Sequence, residues 1–259
     1  MKRIIFFSSI VCSLTACKKI ITPNLDNATP QVVIQGAISD TTGPYYVSIS
    51  RSVGFYSNNT FPPVSGAVIT ITNVSSGTND TLSESAPGTY VTHVIQGIPG
   101  NTYLLKVLLE GKVYTALSTM PLPVALDSVS FDVSDTTQIR PQANFQDPAG
   151  KINFYKYSLT INGVYDKRIQ TFEDRLSDGR YIKDKLDSDT AEFKKNNIVA
   201  LSLTGVDKSV YTYFTEAADI AYSNDNIASP ATPQSNITGG CLGYFSAQTV
   251  SIKSGIVRY

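Results

Sequence analysis

The chain has 259 residues but no tryptophan, one histidine and three cysteines, and only 16% of it is charged. The lone His93 excludes any metal site or proton relay that needs two imidazoles. Basic and acidic residues balance at 21 each, which argues against the basic face of a nucleic-acid binder. No apolar run reaches the roughly 18–20 residues of a membrane-spanning helix. No Gly-x-Ser-x-Gly elbow, P-loop or paired-cysteine zinc spacing occurs. The expectation is a protein with no enzymatic activity, no cofactor and no metal. Tyrosine and phenylalanine are plentiful, with fifteen and eleven residues, as is normal for β-rich cores.

The first seventeen residues carry an address. Lys2 and Arg3 form a positive start, residues 4–14 a short and mostly apolar core, and Leu14-Thr15-Ala16-Cys17 a run of small residues ending in cysteine. That is the layout of a secretory signal rather than a transmembrane helix. It resembles a bacterial lipoprotein signal, which implies cleavage before Cys17 and lipidation of that residue. Acyl chains contribute about 0.8 kcal/mol per buried CH2, so several of them anchor a protein stably. Residues 17–30 then read as a tether, with Pro23 and Pro30 bracketing Asn, Asp and Thr. Cleavage removes Lys2, Arg3 and Cys12, and leaves Cys241 as the one free thiol with no partner for a disulfide. Lys18-Lys19 follow the anchor in place of the aspartate that favours inner-membrane retention, so the expected location is the outer membrane.

From residue 31 to 120, short β-branched and aromatic runs alternate with Gly, Pro, Asn and Ser. Strands are predicted at 31–38, 45–51, 67–73, 78–84, 89–95, 102–109 and 112–118, with Glu110-Gly111 as a two-residue hairpin turn. Seven such strands indicate a β-sandwich. Met120-Pro121-Leu122-Pro123 marks a boundary, since proline removes ladder donors. Residues 124–259 read as an α+β domain. Its strands are expected at 126–133, 143–147, 153–161, 170–175, 180–184, 198–206 and 242–252, with a turn at Ser177-Asp178-Gly179. A helix is predicted from the cap Asp207 to about residue 222, with Val210, Phe214, Ala217 and Ala221 on one face, and a shorter one at 188–195.

Three phrases in the first part are Pro63-Val64-Ser65-Gly66-Ala67-Val68-Ile69-Thr70-Ile71, Pro87-Gly88-Thr89-Tyr90 and Pro99-Gly100-Asn101-Thr102-Tyr103. They resemble the transthyretin-like carboxypeptidase-regulatory domain, which implies a structural or adhesive role. Further phrases are Asp147-Pro148-Ala149-Gly150 with Asn153-Phe154-Tyr155, Asp174-Arg175-Leu176-Ser177-Asp178-Gly179-Arg180, and Asn236-Ile237-Thr238-Gly239-Gly240-Cys241-Leu242-Gly243-Tyr244-Phe245. Together the set resembles the domain of unknown function 4249 family, lipoproteins of Bacteroidetes-type outer membranes often found beside TonB-dependent transporters. The resemblance implies an outer-membrane neighbourhood and brings no catalytic residues. Cys17 is followed by Lys-Lys-Ile-Ile-Thr rather than an acidic pair, which leaves surface-facing and periplasm-facing anchors both open.

Asp184, Asp187, Asp189 and Glu192 are the densest acidic group. Their spacing is not that of an EF-hand loop, and the interleaved Lys183, Lys185, Lys194 and Lys195 favour a solvated, self-paired face. His93 reads as a strand-face residue and Cys241 as a packed one, not as a base and nucleophile. Gly239-Gly240 and Gly243 suit a tight bend at a strand start. Tyr45, Tyr46, Phe55, Tyr56 and Phe61 cluster in sequence around a Ser-Asn-Asn loop and form a candidate ligand contact, with edge packing as the competing reading. Asp-Ser/Thr steps place candidate O-glycosylation sites at Thr41, Thr81, Ser128, Thr136 and Thr190. The functional expectation is a non-enzymatic accessory or binding component of a TonB-dependent transporter, anchored by its lipid. The alternative is a stand-alone adhesive lipoprotein that binds glycan or peptide.

Overall fold

The computed structural model describes residues 29–54, 60–134, 139–188, 193–222 and 232–258. In chain order its strands are β1 Val32–Ser39, β2 Tyr46–Arg51, β3 Val68–Asn73, β4 Asn79–Thr81, β5 Ser83–Ala86, β6 Thr89–Val91, β7 Thr102–Leu109, β8 Lys112–Thr119, β9 Leu126–Asp132, β10 Arg140–Gln146, β11 Phe154–Ile161, β12 Val164–Tyr165, β13 Gln170–Glu173, β14 Tyr181–Lys185, β15 Ile198–Val206 and β16 Leu242–Ile256. The helix α1, Lys208–Tyr222, precedes the last strand. It is not long and apolar enough to cross a membrane.

The fold is mainly β, with a sandwich and one helix. Its spine is a nine-stranded sheet in the order β12-β11-β15-β16-β1-β2-β6-β5, with β13 also paired to β11. Two small sheets, β4-β3-β7-β8 and β14-β10-β9, complete it. The alternation of side chains explains the layering. In β7, Tyr103, Leu105, Val107 and Leu109 are buried while Lys106 and Leu108 face out. These inward residues join Ile34, Ile38, Val47 and Ile49 of β1 and β2 in a first core. A second core joins Ala143 and Phe145 of β10 to Tyr155, Tyr157 and Leu159 of β11 and Val199, Leu201 and Leu203 of β15.

Strand β16 connects the two cores. Residues 242–248 pair in parallel with β1, and residues 249–256 pair antiparallel with β15. Its odd-numbered residues lie opposite Ile34, Gly36 and Ile38 at one end and Val199, Leu201 and Leu203 at the other. Both small sheets therefore pack on one face of the spine. The other face carries α1, where Tyr213 and Phe214 lie 5.1 and 4.8 Å from the Tyr244 ring and Tyr211 lies 5.0 Å from Phe154. Asp207 caps the helix by accepting the Val210 amide at 3.0 Å.

The sequence boundary at 120–123 separates the two cores along most of the chain, but Ile237, Cys241, Phe245 and Ala247 cross back into the first core. The expected strand 78–84 is two strands in different sheets. Leu82 turns inward between them, and its amide donates to Ile69 at 3.0 Å. The expected strand 89–95 stops at Val91, because the amides of His93, Val94 and Ile95 all donate to the buried carboxylate of Asp80 instead of to a ladder. The final strand runs four residues past the expected 252. The expected helix at 188–195 is flanked by non-helical residues at Ser188 and 193–195, and positions 189–192 fall outside the described residues. The Glu110-Gly111 turn forms as read, with φ of 51° and 75° in the two positions.

Candidate functional site

Among the described residues, the aromatics chosen from the sequence, Tyr45, Tyr46 and Phe61, do not gather at one place. Tyr45 is buried in the first core, and its hydroxyl lies 2.8 and 2.6 Å from the carbonyls of Ser39 and Thr41 and accepts the Gly97 amide at 3.2 Å. Its role is to fasten irregular segments together. Tyr46 and Phe61 are exposed, but they sit at opposite ends of β2, where Tyr46 begins the strand and Pro62 accepts the Arg51 amide at its close. Phe55 and Tyr56 lie outside the described residues. Of the glycosylation candidates, Thr41, Thr81 and Ser128 are exposed, while Thr136 and Thr190 are not among the described residues. The His93 side chain is exposed. Cys241 is buried in the first core, and burial pushes its thiol up to about 11.

The acidic group at 184–192 is paired in its described part, but with arginines from other segments rather than with its own interleaved lysines. Asp187 meets Arg140 at 3.3 Å and Arg168 at 3.7 Å, and Asp184 is half-buried beside Tyr157. Lys185 pairs outside the group, with Asp132 at 2.5 Å. Asp189 and Glu192 fall outside the described residues. Next to this face an open groove of about 590 Å³ runs between β13, β14 and the last turn of α1. Arg168 stacks 4.5 Å from the Tyr222 ring on its wall.

A different acidic cluster forms at one end of the second core. The loop 147–153 leaves β10 and enters β11, and the turn 174–180 joins β13 to β14. The two are stitched by Asp147 N–H to the Arg180 carbonyl at 3.1 Å and by Asp174 N–H to the Asn153 carbonyl at 3.3 Å. Gly179 is required at its position: φ is +70°, and an added Cβ would stand 2.7 Å from the Ala149 Cβ. This close fit brings Asp147, Asp174 and Asp178 together, with one carboxylate oxygen from each lying within 4.8 Å of the others. Asp147 and Asp174 are buried, and Asp178 is exposed.

Neutral donors support the three acids. Asp147 accepts the Tyr155 hydroxyl at 2.6 Å and the Gly179 amide at 3.0 Å. Asp178 accepts the Gly150 amide at 2.9 and 3.1 Å. Asp174 Oδ1 accepts the Asn153 amide at 2.9 Å, whereas the buried Asp174 Oδ2 has no partner. Burial pushes the Asp174 carboxyl up to about 6. The Asn153 amide opposes this rise, while a carboxyl–carboxylate hydrogen bond with Asp147 and the negative charges of Asp147 and Asp178 add to it. Every member of the cluster sits in the two phrases that sequence reading quoted only for resemblance. The signal present in the sequence was an Asp at the end of each of two predicted strands, with a Gly closing each loop.

The C-terminal phrase has a structural job. Asn236 mimics a strand neighbour: its Nδ2 donates to the Phe245 carbonyl at 2.7 Å and its Oδ1 accepts the Phe245 amide at 3.0 Å. Gly243 has φ +97°, and a Cβ there would lie 1.9 Å from the Ile34 carbonyl oxygen. The phrase therefore seats β16 on β1.

A family model described as a domain of unknown function, DUF4249, matches residues 18–254. The chain belongs to the DUF4249 family. No curated protein matches it. The DUF4249 match covers the first core, the second core except Val257, the acidic cluster, the C-terminal phrase and β16 as far as residue 254. The strand shared by the two cores therefore belongs to the family's own unit over nearly all of its length.

One more surface stands out by its composition. The outer face of β3, β7 and β8 carries a row of Val68, Leu108 and Val113 in direct register, and Leu104 beside Leu117 two rows away. Val68, Leu108, Val113 and Leu117 are each between 42% and 59% exposed. Between these rows lie Thr70, Lys106 and Thr115. No strand or helix among the described residues packs over this face, although Thr238 reaches Thr115 on β8, whereas α1 covers the outer face of the spine near β11, β13 and β16.

Proposed function

We propose that this DUF4249 protein is an outer-membrane lipoprotein, lipidated at Cys17, that serves as a non-enzymatic accessory of a TonB-dependent transporter. In this reading the first sandwich is a transthyretin-like domain used for protein contact. The observation that carries the proposal is the exposed apolar face of β3, β7 and β8. A solvated antiparallel sheet normally presents polar residues outward. Here Val68, Leu108 and Val113 form an exposed aliphatic row, with Leu117 beyond the polar row of Thr70, Lys106 and Thr115. Such exposed apolar groups rimmed by polar residues mark an interaction surface. The signal-like start at residues 1–17, the tether at 17–30 and the family's usual neighbourhood support the placement at a membrane partner. Tethering then raises the effective concentration of this face near a barrel in the same membrane.

The groove beside α1 favours a second reading, a stand-alone binder of glycan or peptide. Arg168 and Tyr222 on its wall combine charge with an aromatic surface. The test is recovery of C-terminally tagged protein from mildly solubilised native outer membrane, with mass spectrometry of what comes with it. The accessory reading expects a TonB-dependent barrel in near-stoichiometric amount. Recovery of the protein alone, with the barrel present in the extract, contradicts it and turns attention to the groove.

A further inference from the structure

Three carboxylates converge where the loop 147–153 meets the turn 174–180, and two of them are withdrawn from water. Taking a carboxylate out of water is costly unless a counter-charge or enough donors replace the solvent. Among the described residues no Lys or Arg pairs with any of the three. Arg175, the nearest basic residue in sequence to Asp174, is held by Glu173 at 2.6 Å. The neutral donors account for both oxygens of Asp147 and Asp178 and for one oxygen of Asp174. The remaining oxygen, Asp174 Oδ2, is buried with no N–H or hydroxyl donor. What lies within hydrogen-bond reach of the Asp174 carboxyl is the carboxylate of Asp147, which can share a proton or a cation with it but cannot donate while charged. Each bonded carboxylate oxygen also keeps a lone pair beyond the one its N–H or O–H donor uses.

We propose that Asp147, Asp174 and Asp178 form a calcium-binding site that clamps these two loops together. The donor chemistry selects a hard cation: all three groups are carboxylates, and neither histidine nor cysteine takes part. Calcium accepts irregular shells of about six to eight oxygens, whereas Mg2+ demands near-ideal octahedral geometry and gives up its water reluctantly. Three carboxylates on two loops, all within 4.8 Å of one another, therefore suit calcium better. Exposed Asp178 gives the ion a way in, and water completes a coordination shell of about six to eight oxygens. The competing occupant is a proton shared between Asp147 and Asp174. It neutralises one charge, whereas the cation neutralises two. This site is independent of what the apolar face docks to.

The test uses the full chain, purified in detergent, stripped with EDTA and dialysed. Calorimetric titration with CaCl2 should give one ion per chain. At about 1 mM Ca2+ the melting temperature should rise by about 5 °C or more, with a smaller rise at equal Mg2+. Asp174→Asn keeps the shape of the side chain and removes its charge. It should melt in EDTA no lower than the wild type and show at least about a tenfold loss of Ca2+ affinity. Asp178→Asn, at the exposed edge, should weaken binding without unfolding the protein. Asp219→Asn, an exposed carboxylate on α1, should keep the full response. A wild type that shows neither heat nor thermal shift up to about 10 mM Ca2+, well past the weak end of extracellular sites, overturns the proposal in favour of the shared proton. An equal response from Asp174→Asn overturns it in favour of diffuse surface binding.

Discussion

Both cores bury carboxylates, and Asp80 at the first and Asp174 at the second are treated differently. In the first, Asp80 collects the amides of His93, Val94 and Ile95 on one oxygen at 2.7–2.9 Å. Burial alone would raise its carboxyl, but the three amides outweigh that effect and hold it below the ordinary range. In the second, Asp174 has one amide, two like-charged neighbours and an oxygen without a partner, and its carboxyl moves the other way. One acid organises the backbone around itself and is complete. The other is incomplete within its own chain, and it is there that an external ligand has something to supply. Burial of a charged group therefore does not by itself mark a site; burial with unmet bonding capacity does.

The largest expected effect breaks the comparison, because it strikes what the two cores share. Gly243→Ala sets a Cβ against the Ile34 carbonyl at a positive φ. It should cost about 4 kcal/mol or more in a denaturant titration, with both cores lost in one transition. Gly66→Ala, also at positive φ but with nothing within 4 Å, should cost only about 1–2 kcal/mol. Two separated transitions in Gly243→Ala would show that the cores fold apart.

Next comes the complete acid. Asp80→Ala leaves three amides without their acceptor and should cost about 2–3 kcal/mol at neutral pH. The folded carboxyl sits below its ordinary 3.8, so its contribution is present above that value and is lost as pH falls through the lower folded value. The variant should therefore lose less stability than the wild type between neutral pH and strong acid. Asp174→Asn should do the opposite of Asp80→Ala: in EDTA, its stability should stay within about 1 kcal/mol of the wild type or exceed it. A loss like that of Asp80→Ala would mean that Asp174 is a structural peg as well. The smallest effect concerns Cys241, whose thiol is pushed up to about 11 by burial. At pH 8 its alkylation should be at least ~100-fold slower in the folded chain than in denaturant. Equal rates would place it on the surface.

Local elements were legible because their causes are local. Glu110-Gly111 supplies the two positive φ angles of a tight hairpin, and Asp207 supplies the first cap of a helix whose apolar face follows it. What escaped the sequence was set by partners distant along the chain. Nothing in residues 242–248 announces that they pair with β1, some two hundred positions earlier, and the prolines at 121 and 123 suggested a cleaner division than the cores obey. The strand expected at 89–95 ended early because a carboxylate at position 80 outcompeted the ladder for three amides. Aromatic residues neighbouring in sequence were separated by β2, and Tyr45 went to the core. At the candidate cation site the residues had been singled out by phrase, but the density of acids drew attention to 184–192. Convergence of Asp147, Asp174 and Asp178 depends on two loops meeting, which no spacing along the chain encodes.

The functional claim rests on the uncovered face of β3, β7 and β8, and one comparison tests it most directly. Tagged wild type and the double variant Leu108→Lys/Leu117→Lys, whose side chains already face out, should be recovered in equal amount from native outer membrane. The account predicts that the wild type brings a TonB-dependent barrel with it and that the double variant, equally stable and equally membrane-bound, brings little or none. A double variant that retains the barrel as well as the wild type does would contradict the assignment of this face.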